Sequence, residues 1–144
     1  MPDTIKTGTI LIKEGTLLPE VLRFESEPCA PGWRLVKNLD GYGLDRKIHE
    51  AGWTFFCLAG EIKATVFGFD EQKRVRGAVK RILANLKSEK FNSLEITRVA
   101  TKRFLGVPYA SVSARSRHIQ ESMFLFQTTG VRVKQLNAAA TFNL

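Results

Sequence analysis

The sequence predicts an α+β domain: an antiparallel sheet, with a mixed sheet as the alternative, carrying one long amphipathic helix and one short helix packed on it. Three observations carry that reading. Residues 70–90 hold an apolar stripe on a 3.6-residue period; residues 94–104 and 107–118 follow as two long strands around a tight turn; and short apolar segments separated by Gly, Pro and Asn precede both. The predicted order is β-β-β-α-β-β-α-β-β, with the helices on one face of the sheet.

Residues 9–14 (TILIKE) read as a first strand ended by Gly15. Residues 21–27 (VLRFESE) alternate, so they read as a half-buried strand with Leu22 and Phe24 inward. The segment EPCAPGW, with two prolines and a glycine close together, reads as a stiff turn before a strand at 33–37 whose Trp33 and Leu35 share a face. A loop (NLDGYG) leads to a short helix over 44–51, closed by Gly52. Residues 53–59 (WTFFCLA) are apolar without alternation, which predicts a central strand covered on both sides. The next strand, 62–69, puts Ile62, Ala64 and Val66 on one face.

In the long helix Val75, Ala78, Val79, Ile82, Leu83 and Leu86 form the stripe, and Asp70 stands where an N-cap is needed. Gly77, beside the stripe, costs roughly 1 kcal/mol against alanine and points to close packing there. In the hairpin Gly106 and Pro108 bracket the turn. Ala110, Val112 and Ala114 then face one way, and Ser111, Ser113, Arg115 and Arg117 the other. After it come an apolar piece at 123–126 and a short strand at 131–134; residues 137–144 lack periodicity and are expected to fray.

At 144 residues, with 44% hydrophobic and 25% charged content, residues 1–136 are read as one globular domain. There is no apolar run of membrane-spanning length and no signal-peptide pattern, so the expected address is the cytoplasm and no membrane partner is expected.

The charge is unevenly placed. Between Asp70 and His118 there are twelve Lys and Arg against four acids, which accounts for the whole net charge of +8; the remaining residues carry ten of each sign. Two readings compete: a solvated helix face with cations guarding a strand edge, or a surface for an anionic partner, most simply nucleic acid. The candidate anion-binding residues are Arg74, Arg81, Lys87, Lys102, Arg103, Arg115, Arg117 and His118. Single-strand readers add stacking aromatics to such a surface, and by sequence Tyr109 stands alone beside these cations.

No catalytic pattern emerges, and the expectation is a non-enzymatic domain. Cys57, within FFCLA, is expected to be buried; Cys29, in a proline-flanked turn with no neighbouring cation, is expected to be exposed. The two cysteines and two histidines lack the paired spacings of a metal site, and no cofactor is expected. Ser116 and His118 share a strand face too far apart for a nucleophile–base pair, and there is no GxSxG elbow. The loop DGYGLD matches neither an EF-hand nor a P-loop.

Two alternatives belong to other classes: a small-ligand pocket lined by Trp33, Tyr42, Trp53 and Phe55, and a homo-oligomer formed by pairing hairpin edges between copies.

The strand at 62–69, the helix and the two long strands, about forty per cent of the chain, resemble the β-α-β-β unit of dodecin-like proteins. No ligand motif accompanies that topology, so flavin binding is not implied. The stretches GWTFFCLAGEIKATVFG and NSLEITRVATKRFLGVPYASVSARSRHIQ also resemble a family of soil-bacterial proteins, and this resemblance implies no activity.

Overall fold

A computed structural model describes residues 5–38, 43–57, 60–86 and 90–122. Among them the order is β1 (Ile10–Lys13), β2 (Phe24–Ala30), β3 (Trp33–Asn38), α1 (Leu44–Glu50), β4 (Trp53–Cys57), β5 (Ile62–Phe67), α2 (Glu71–Asn85), β6 (Ser93–Phe104) and β7 (Val107–Glu121). The predicted pieces at 123–126, 131–134 and 137–144 lie outside the described residues.

The strands form one sheet in the order β2-β3-β1-β6-β7-β4, and every pairing is antiparallel. The mixed alternative therefore drops out. β7 is the axis. One flank pairs with β6 along nearly its whole length; the other takes β5 opposite residues 109–114 and β4 opposite residues 117–121.

The helices lie on opposite faces, not on one. The stripe of α2 packs Val75, Ala78, Val79 and Ile82 onto Ala110, Val112 and Ala114 of β7, with Leu11, Leu35, Leu94 and Ile96. On the other face Leu44 and Ile48 of α1 pack with Ile10, Ile12, Val36 and Ile119. The reason is visible in β1: Ile10, Leu11 and Ile12 are all buried, so this end of the sheet is apolar on both sides and needs two covers. Each fully buried aliphatic contributes about 1.5–3 kcal/mol relative to exposure.

α2 begins at its predicted cap, where Asp70 Oδ1 accepts the backbone N–H of Lys73 at 3.1 Å. Gly77 does not mark a close approach: a Cβ there would lie 3.5 Å from the nearest Val66 methyl, an ordinary contact.

Three strand readings change. β2 runs on through Pro28 and Cys29, with a bulge between Pro28 and Ala30, so the turn is confined to Pro31 and Gly32. An outermost strand tolerates proline because one side of its backbone makes no ladder bonds. Leu22 is buried as expected but Phe24 is 37% exposed. β4 is an end strand rather than a central one, with Phe56 exposed at its far end. The cysteines are therefore the reverse of expectation: Cys29 is buried and Cys57 exposed.

The hairpin turn is Leu105–Gly106, both with positive φ (51° and 83°), the I′ geometry that matches the twist of two long strands. Pro108 lies inside β7, opposite Arg103. Near the other end of β6, Thr97 and Arg98 together oppose Ser113, a β-bulge. Before it Leu94 and Ile96 face α2; after it Val99 does, and Arg98, Ala100, Lys102 and Phe104 turn to the opposite face.

Candidate anion-binding face

α1 covers only part of its side of the sheet. Over the distal halves of β6 and β7 and over β5, the face opposite α2 carries no element among the described residues. Its side chains stand in cross-strand rows fixed by register. Beyond the Phe104–Val107 pair at the turn, Lys102, Tyr109 and Phe67 form the first row; Ala100, Ser111 and Thr65 the next; Arg98, Ser113 and Lys63 the third; and Glu95 and Arg115 the fourth. Successive rows on this face are about 7 Å apart along a strand, and neighbouring strands about 4.8 Å.

Charge divides this face. In the fourth row Arg115 Nε donates to Glu95 Oε1 at 2.8 Å, and that bond raises the guanidinium pKa above its ordinary value. The Thr97 hydroxyl donates to Glu61, tying the bulge to the start of β5. Lys63, Arg98 and Lys102 are exposed and make no ion pair among the described residues. They bracket a floor of small side chains in which Ser113 is only 2% exposed.

Tyr109 is not alone. The Phe67 ring packs against it with centroids 4.9 Å apart and planes tilted by 40°, and Phe67 remains 51% exposed. Phe104, on the same face one diagonal step away, is 60% exposed.

The eight residues proposed from sequence do not form one surface. Arg74 is 5% exposed and its Nη1 donates to the Gly68 carbonyl at 2.8 Å. Arg81, on α2, donates to the Thr65 carbonyl at 2.8 Å, and Arg103 to the Gly106 carbonyl at 3.0 Å. Each ties a side chain to the backbone of a turn or an edge. Arg117 is 5% exposed and pairs with Asp45 beneath α1. His118 places Nδ1 2.8 Å from the Lys90 carbonyl, and Lys87 lies outside the described residues. Lys102 and Arg115 are on the uncovered face; Arg81 belongs to the α2 layer on the other side of the sheet.

Lys63, Arg98 and Phe67 went unnoticed in the sequence. The alternation of β5 does hold a signal: with Ile62, Ala64 and Val66 inward, Lys63, Thr65 and Phe67 must face away. Only the register to β7, more than forty residues on, puts them beside Tyr109 and Ser113.

The aromatic residues proposed for a small-ligand pocket do not converge. Trp33 lies on the α2 side, stacked on Phe91 at 5.4 Å; Trp53 and Phe55 lie on the α1 side; Tyr42 is outside the described residues. An open cleft of about 620 Å³ sits where the β1 turn meets the ends of β4 and β7, near Lys13, Leu17, Trp53, Asn92 and His118. Two of its polar side chains are committed to backbone: the Asn92 amide bonds both the N–H and the carbonyl of Ile119, and His118 meets Lys90.

Beyond Ile96 the outer edge of β6 has no strand partner among the described residues, and the bulge with Lys102 and Arg103 guards it. No helix among the described residues is long and apolar enough to cross a membrane. Compared with protein-family models, with curated proteins and with solved structures, the chain has no match.

Proposed function

We propose that this chain is a non-enzymatic binding domain that takes a polyanion, most simply a nucleic-acid backbone, on the uncovered face of β5, β7 and β6. The observation that carries this reading is the placing of Lys63, Arg98 and Lys102. They stand on one face around a floor of small side chains, with no carboxylate partner among the described residues. A solubilising charge needs no such floor. Arginine and lysine above serine hydroxyls form charge-assisted bonds to phosphate oxygens, which position a backbone without reading sequence. The remaining α2 cations, such as Lys73 and Lys80, are exposed on the opposite side of the molecule and belong to a solvated helix face.

Fluorescence anisotropy with a labelled oligonucleotide at rising salt tests this. Log affinity should fall linearly with log salt, by about 0.7 per single-strand phosphate neutralised. Lys63→Glu with Arg98→Glu should weaken binding at least tenfold, while Lys73→Glu with Lys80→Glu should leave it nearly unchanged. Equal loss from both pairs would move the site off the sheet. Absence of salt-dependent association in the wild-type protein would remove the reading altogether.

A further inference from the structure

We infer that the ligand of this face is single-stranded rather than duplex nucleic acid, an unpaired base stacking on the Phe67–Tyr109 pair while Lys102 and the Arg98–Lys63 row hold phosphates on either side. The inference rests on the polyanion reading above and adds a base-recognising element to it.

The pair is not needed to fill a core. The two buried clusters lie under α2 and under α1, and neither includes Phe67 or Tyr109. A cross-strand aromatic pair supports a sheet by only about 0.2–1 kcal/mol, and β-branched residues serve the same end without exposing a ring. Yet Phe67 stays half exposed at the end of the edge strand β5, and Phe104, across β7 on the far side of Tyr109, is more exposed still. Both rings of the pair stand on strands and touch each other, so the platform is preformed and little conformational freedom is lost when a base settles on it.

Its position relative to the cations fits a strand. Lys102 shares the row of the aromatic pair. The Arg98–Ser113–Lys63 row lies two rows on, about 13 Å along the strands, across the floor of Ala100, Ser111 and Thr65. A backbone crossing that floor meets cations at both ends and delivers a base to the rings at one of them. In a duplex the bases are paired and stacked inside the helix, so only charge would remain available to this face.

The test compares four probes on the intact chain: a single-stranded oligonucleotide, its duplex, an abasic single strand of equal length and charge, and heparin. The wild-type protein should bind the base-bearing strand at least tenfold more tightly than the abasic one, a comparison that needs no variant. Phe67→Leu with Tyr109→Leu, which keeps apolar bulk and removes the aromatic faces, should lower single-strand affinity about tenfold or more. Affinity for duplex, abasic strand and heparin should stay unchanged. Equal affinity for base-bearing and abasic strands, or equal losses on all four probes, would overturn stacking. If all four probes then still bind with a steep salt dependence, the polyanion reading survives without it. If none binds, both fall.

Discussion

Arg117 and Asp45 form a two-point ion pair, Nη1 to Oδ2 at 3.1 Å and Nη2 to Oδ1 at 3.3 Å, that fastens the first turn of α1 to the central strand. The same guanidinium lies 3.4 Å from Glu95 and 3.8 Å from the centroid of the Phe55 ring. Two carboxylates and a ring therefore share one buried cation, whose Nε has no partner among the described residues. Arg117 is a structural tie, and its charge is already spent.

Arg117→Glu places a third carboxylate beside Asp45 and Glu95 and should cost about 3–5 kcal/mol, as uncompensated buried charges do. Arg115→Glu, at an exposed position, should cost far less, although it also faces Glu95. Urea denaturation of the two variants separates them. Equal stabilities would mean that Arg117 is not buried under α1.

The cysteines provide a labelling contrast. Burial pushes the Cys29 thiol above its ordinary pKa, outweighing Arg76, whose Nη1 lies 3.8 Å from the sulfur. A reagent that needs thiolate should modify Cys57 quickly at neutral pH and Cys29 only on unfolding. The sign for stability follows. Because the native state keeps its proton longer, the stabilising contribution is whole below the unfolded thiol pKa and is lost as pH rises through the raised native one. Mass spectrometry of the native protein after brief alkylation reads which cysteine reacts; labelling of Cys29 first would contradict the bulged β2.

Two α2 substitutions should move stability in opposite directions. Gly77→Ala meets only ordinary contacts from Val66 and removes a helix-interior glycine, so it should stabilise by about 0.5–1 kcal/mol. Ile82→Asp buries a carboxylate at a position with no exposure and should cost about 4 kcal/mol or more. Thermal melts of both check the packing of α2, and destabilisation by Gly77→Ala would show a closer approach to β5.

Periodicity made the regular elements readable. The stripe of α2, its Asp70 cap, the alternation of β7 and the split of Trp33 and Leu35 from Val36 all follow from side-chain spacing on a 3.6 or 2.0 period. Pairing did not follow. WTFFC reads as a central strand because it is apolar throughout, but an end strand can be equally apolar where α1 covers one of its faces. Helix placement failed for a related reason: the two-sided hydrophobicity of Ile10, Leu11 and Ile12 was present, but a run so short does not reveal how many layers it serves.

The candidate site was less legible. Arg98 and Lys102 lie within the basic stretch of residues 70–118 and Lys63 lies before it, but positive charge alone does not distinguish an arginine that ends on a carbonyl from one left to solvent. Arg74, Arg81 and Arg103 end on carbonyls; Arg98 does not. The aromatic partner of Tyr109 came from a strand outside the basic segment, so no local window could have joined the two.

The extra residue at Thr97 has a consequence beyond local geometry: it sets the parity of everything after it in β6. With the bulge, Val99 meets Val112 over the core while Arg98 and Lys102 stand in the open. Were Thr97 paired in a regular ladder, it would take the place opposite Ser113 and Arg98 the place opposite Val112, driving Arg98 toward α2 while lifting Val99 into water. Deleting Thr97 would instead leave Ile96–Ala114, Arg98–Ser113 and Val99–Val112 paired and both faces intact. The identity of one side of this molecule thus depends on register rather than on composition. The same chain paired without the bulge would lose its basic face and its core together.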